Sequence, residues 1–197
     1  MRTGHRWMPC GVLAALHLGT LAAAPQGATP PELMIEMRDH AGVPFNVMRE
    51  TKAEVESTFH ATGVRIVWVD PAAAPQSPAP LKLYVVGGTP TNSHTRPPGA
   101  TIVGLAPQSG SWAQVFYRRV AAAVAERPIS ISVVLAHVIS HEIGHLLLPP
   151  NSHSPFGVMR RAVDLEHPTL RRFTTEQSRL IRVALSTGRR YAWPCDQ

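Results

Sequence analysis

Residues 129–148 read ISISVVLAHVISHEIGHLLL, and this run organises the rest of the chain around it. It contains no proline. Val133, Val134, Leu135, Val138, Ile139, Ile143, Leu146 and Leu147 fall on several faces of a 3.6-residue period, so the spacing predicts a helix buried nearly all round. Within it, His141-Glu142-Ile143-Gly144-His145 sets two imidazoles four residues apart. They share one helical face, with Cβ atoms about 5–6 Å apart, and can converge on one zinc ion at roughly 2.0–2.1 Å. Glu142 directly follows the first of them, so its carboxylate flanks such an ion without binding it. There it can accept the proton of a water whose pKa the metal brings from about 15.7 towards about 7. An ordinary amphipathic helix with a polar stripe would also satisfy the five-residue pattern. A charged Glu inside a buried helix is costly unless it is paired or stands near a metal, which favours the metal site.

Zinc needs a third protein ligand. The chain continues His145-Leu-Leu-Leu148-Pro149-Pro150-Asn151-Ser152-His153-Ser-Pro-Phe-Gly157-Val158-Met159, and His153 is the leading candidate. Asp164 or Glu166 would instead complete a site of two His and one acid, and the neutral amide of Asn151 is a poorer ligand than imidazole. His137 lies one turn before His141, but ligands at i, i+4 and i+8 spread over about 12 Å and cannot close on one ion. It is expected to be a core histidine, or one supporting the ligands from behind. His167 and Tyr191 are weak candidates for stabilising an oxyanion, Cys195 reads as a tolerated thiol, and His94 sits in a polar loop.

These residues resemble the metzincin clan of zinc metallopeptidases, whose H-E-x-x-H-x-x-G-x-x-H pattern is followed by a Met-containing turn beneath the metal. The resemblance implies His141, His145 and His153 as zinc ligands, Glu142 as general base and Met159 as the residue of the Met-turn. It spans about 20 residues and departs from the pattern twice. Leu148 stands where the clan has Gly, and His153 follows His145 by eight residues instead of six. The Gly normally ends the helix sharply. Pro149-Pro150 can do so differently, because Pro149 disfavours helical geometry at Leu148 and neither proline donates a hydrogen bond. The wider bend then uses the two extra residues.

Upstream, residues 32–39 alternate apolar and polar and predict a half-buried strand; residues 44–62 predict a surface helix ended by Gly63. Residues 64–69, 81–86, 101–105 and 113–117 predict further strands, the last running into an Ala-rich helical segment that ends near Pro128. Residues 151–169 lack a period. Residues 174–187 predict a terminal helix with Thr174 and Gln177 as a capping box and Gly188 as its stop. The expected class is α/β (α+β): one domain over residues 32–197, with a twisted mixed sheet of four to five strands, an N-terminal surface helix, a buried active-site helix and a C-terminal helix. The resemblance implies a metzincin-like version of it. Residues 113–117 are the candidate strand bordering the cleft, able to hold an extended peptide by strand addition.

Residues 1–24 read as a secretion signal: Arg2 and Arg6, an apolar run over residues 11–24, and Ala22-Ala23-Ala24 at the cut, followed by a linker over residues 25–31. The expected location is secreted or periplasmic. After cleavage only Cys195 remains, so no internal disulfide is expected. No apolar run reaches the length of about 18 residues that spans a bilayer, so stable membrane insertion is not expected.

The 197 residues carry a formal charge of +6, and only Lys52 and Lys82 among the 19 basic residues are Lys. Arginines crowd the C-terminal third without interleaved aromatics, which reads as a solvated basic face, so no nucleic-acid partner is expected. The sequence reading is thus an exported zinc metalloendopeptidase, a monomer acting on peptide or protein substrates. The alternative is a zinc-stabilised binding domain without turnover. A basic nucleic-acid-binding protein with an accidental motif is a third, lesser one.

Overall fold

The computed structural model describes residues 29–73, 78–88, 103–107, 110–163, 165 and 172–188. The expected secretion signal over residues 1–24, residues 25–28 of the expected linker, and His94, Asp164, Glu166, His167, Tyr191 and Cys195 lie outside the described residues.

The order of elements is β1 (Glu32–Asp39), α1 (Phe45–His60), β2 (Arg65–Val69), β3 (Leu81–Val86), β4 (Gly104–Leu105), β5 (Trp112–Phe116), α2 (Tyr117–Val124), α3 (Ile131–Leu147) and α4 (Thr175–Thr187). The strands form one mixed five-stranded sheet in the order β2-β1-β3-β5-β4. β1 lies between two parallel neighbours, with Ile35 opposite Trp68 of β2 and Leu81 of β3. β3 and β5 are also parallel, and β4 runs antiparallel to β5 with Gly104 opposite Val115. Parallel strands need helical crossovers that cover them. Here α1 connects β1 to β2, and the strands it helps to cover bury Leu33, Ile35, Leu83 and Val85.

Helix α1 turns Thr51, Val55 and Phe59 inward, one residue per turn. Fully burying side chains such as Val55 and Phe59 stabilises the fold by about 1.5–3 kcal/mol each. α1 packs against α3, and α3 reaches β4 and β5. α3 is therefore enclosed on most sides, as its all-round apolar sequence requires; its buried residues include Val134, Leu135, Val138, Ile139, Ile143 and Leu146.

Helix ends differ from the sequence expectation by a few residues, for local reasons. α3 begins at Ile131 and not at Ile129, because Ser130 is extended as its N-cap. α2 stops at Val124, short of Pro128, which biases Arg127 away from helical geometry. α3 ends at Leu147, and Leu148 is extended (φ −107°, ψ 156°), as a residue before proline should be. The capping box of α4 forms as expected: Thr174 Oγ1 accepts from the Gln177 N–H (3.2 Å), and Gln177 Oε1 accepts from the Thr174 N–H (2.9 Å). Gly188 ends that helix in the left-handed region.

One expectation is corrected. The strand over residues 113–117, now β5, does not border a cleft, because β3 and β4 pair with both of its edges. Among the described residues, the outermost strand on that side of the sheet is β4.

Candidate metal centre

The last two turns of α3 hold His141, Glu142 and His145. The two histidines point their Nε2 atoms at each other, 3.0 Å apart. Two nitrogens bound to one tetrahedral zinc at roughly 2.0–2.1 Å would lie about 3.3 Å apart, so the pair is within a few tenths of an ångström of ligating geometry. The Val158 carbonyl, 2.8 Å from His141 Nδ1, can only accept a hydrogen bond. His141 therefore donates from Nδ1 and leaves the Nε2 lone pair facing the site, the usual support for a metal-ligating imidazole.

His153 joins them from beyond the double proline. Its ring lies 5.4 Å from that of His141 and 4.8 Å from that of His145, centroid to centroid. One ring nitrogen from each of the three histidines falls within 4.8 Å of the others. The set can therefore hold a metal ion, and among the described residues no other cluster of His, Cys, Asp or Glu does so. Asn151, which occupies the ligand position of the shorter pattern, is exposed at the tip of the bend with φ 57°, a conformation that Asn tolerates better than most residues. It turns the chain there. His137 is buried in α3 and stands outside the cluster.

The electrostatics favour neutral imidazoles. Burial, and then the other two histidines, push His145 down to about 4. Burial also lowers His141, against the Val158 hydrogen bond, and lowers His153, helped by the nearby positive Arg161. Neutral rings keep the lone pairs that a metal needs. Glu142 behaves in the opposite way: burial raises its carboxyl to about 8. Its side chain lies flat on Gly104 of β4, where an added Cβ would come within 2.6 Å of Glu142 Cγ and 2.7 Å of Cδ.

No protein-family model and no curated protein matches this chain. The chemistry of the centre is therefore read from its side chains.

Met159, expected as the residue of the Met-turn, shapes the site together with Gly144 and Gln177, whose roles here the sequence did not anticipate. Gly144 lets Met159 reach the helix: a Cβ there would collide with Met159 Sδ and lie 3.1 Å from Phe173 Cε1. Met159 is fully buried against Gly144, the residue that precedes His145. The Val158 N–H bonds to the Arg172 carbonyl (3.1 Å), and the Ser154 N–H bonds to the Met159 carbonyl (2.9 Å), which closes the turn. Gln177 has a second task besides capping α4. Its Nε2 donates to the Ser152 carbonyl (2.9 Å) and to Ser154 Oγ (3.3 Å), gripping the chain on both sides of His153. A capping-box Gln carries no sequence signal for that second role.

A cleft of about 330 Å³ opens at the centre, lined by Gly104 and Leu105 of β4, by His141, Glu142 and His145 of α3, and by Arg160, Arg161 and Val163 from beyond the bend.

Proposed function

We propose that the chain is an exported zinc-dependent metallopeptidase. The observation that carries this reading is Glu142, held by Gly104 beside three neutral imidazoles and lining an open cleft. Three neutral nitrogen donors suit zinc, and His141, His145 and His153 would hold it with a position open towards the cleft. When bound, the ion supplies Lewis acidity, polarising the scissile carbonyl and making water nucleophilic at neutral pH. Everything else falls to the chain's own groups. A peptide adds to the outer edge of β4, in extended form, with its carbonyl directed at the histidines. Glu142 takes the proton of the attacking water at a carboxylate oxygen and returns it to the leaving amine. Beside a bound cation the Glu142 carboxyl would ionise more readily than in the metal-free protein and so serve as a base.

The resemblance of residues 141–159 to the metzincin pattern supports this reading, as does the basic and apolar leader over residues 1–24 for export. Glu142 also weighs against a purely structural zinc site, which has no use for a buried acid beside its ligands. Glu142→Gln tests the proposal. The variant should bind zinc as the wild type does and lose about 10²–10⁴-fold in peptide cleavage. A zinc-loaded wild type that cleaves nothing in a broad peptide library would instead favour the binding domain without turnover.

A further inference from the structure

The cleft has walls of different chemistry. Val103, Leu105, Val138 of α3 and Val163 make much of the lining apolar, whereas Arg160 and Arg161 contribute two basic residues to it. Among the described lining residues Glu142 is the only acid, and it is buried beside Gly104. Arg161 is exposed and enters no ion pair among the described residues. It lines the same cleft as His141 and His145, so it stands close to the centre.

We infer that this cleft selects peptides carrying a carboxylate side chain next to the bond presented to the histidines, with Arg161 as the residue that reads it. The inference rests on the metallopeptidase reading for the placement of the peptide. A peptide laid along β4 with its carbonyl over the histidines sends a neighbouring side chain into the cleft that Arg160, Arg161 and Val163 line. The apolar lining accepts the methylene stem of Asp or Glu. The guanidinium matches the carboxylate in shape and charge and can hold it through two parallel hydrogen bonds. Arg160, beside Arg161, adds to the same field, and the bound ion would add more. A lysine or arginine side chain in that place meets the like charge of Arg160 and Arg161.

The test uses the zinc-loaded full chain and paired peptides that differ only by Asp against Asn, or Glu against Gln, on either side of a single cleavable bond. The expected result is a ratio of about tenfold in kcat/KM in favour of the acid, in line with one partly exposed charge-assisted pair. The ratio should fall towards one in Arg161→Gln and invert in Arg161→Glu. A ratio that persists in Arg161→Gln means that the carboxylate binds the metal itself, and it overturns the inference.

Binding of the same pairs to zinc-loaded Glu142→Gln separates the two proposals. Cleavage by the wild type without acid preference in either assay overturns the inference and leaves the peptidase. Acid-selective binding with no cleavage by the wild type does the reverse. If the Arg161 variants do not fold, the wild-type ratio is read from about 0.05 to 0.5 M salt, where screening should shrink it. A ratio indifferent to salt rejects the role of Arg161.

Discussion

Helix α3 and the bend that follows it both supply candidate metal ligands, but they hold them by different means. α3 holds His141 and His145 by its own hydrogen-bond ladder within a packed core, so their spacing follows from helical geometry alone. The bend over residues 148–160 has no ladder. His153 is held by Gln177 from α4, and Val158 and Met159 by the Arg172 carbonyl and Gly144. Two ligands are thus written locally, and the third depends on contacts with distant parts of the chain. Damage to α3 should cost stability and metal together, and damage to the bend should cost metal first.

His153→Ala gives the largest effect that tests this difference. Zinc affinity should fall by more than the about 100-fold typical of losing a supporting hydrogen bond, while the melting temperature of the metal-free protein stays close to wild type. Titration calorimetry and thermal unfolding read the two quantities. Retention of stoichiometric zinc with unchanged affinity would remove His153 from the ligand set.

Gly144→Ala comes next. Exposed helical Gly→Ala changes gain up to about 1 kcal/mol. Here the added methyl enters the Met159 contact, and overpacking of this kind destabilises by about 1–3 kcal/mol. A net loss in chemical denaturation is expected, and a net gain would mean that Met159 moves aside freely.

Gln177→Glu separates the two tasks of that side chain. A Glu still closes the capping box but cannot donate to the Ser152 carbonyl. Helix stability should be kept, with zinc affinity lowered about tenfold. Equal affinity would leave Gln177 as a cap only.

The smallest effect is in the pH dependence of the metal-free protein. The Glu142 carboxyl is raised in the fold to about 8, so between its ordinary value near 4.5 and that point the folded state binds the extra proton, and stability falls as pH rises. His145 is lowered to about 4, so between that point and its ordinary value near 6.5 the unfolded state binds more protons, and stability rises with pH. Replacing Glu142 by Gln removes the falling limb. From pH 6 to 7 the wild type should lose about 1 kcal/mol relative to that variant in denaturant titrations, and parallel pH profiles would show that the carboxyl is not buried in solution.

Legibility in the sequence follows the same division. The helix carrying His141 and His145, the extended Leu148 before Pro149 and the capping box of Thr174 and Gln177 are all short-range patterns, and the structure contains them. So is the candidacy of His153, whose ring does come to the cluster. β4 as the cleft edge was not legible, because two residues show no alternation and pairing decides which strand is outermost. Nor were Gly104 and Gly144: the space a glycine leaves is visible only once Glu142 and Met159 occupy it. The Gln177 grip joins residues 25 positions apart and leaves no local trace.

The double proline has one more consequence. Helix ends commonly adapt by winding or unwinding a turn, but Pro149 and Pro150 have no N–H with which to lengthen α3. Its terminus is a hard stop. Any accommodation of an ion of larger or smaller radius must therefore come from the far side of the bend, through the backbone torsions at Asn151 and Ser152. The helical half of the centre acts as a fixed jaw and the His153 half as the movable one.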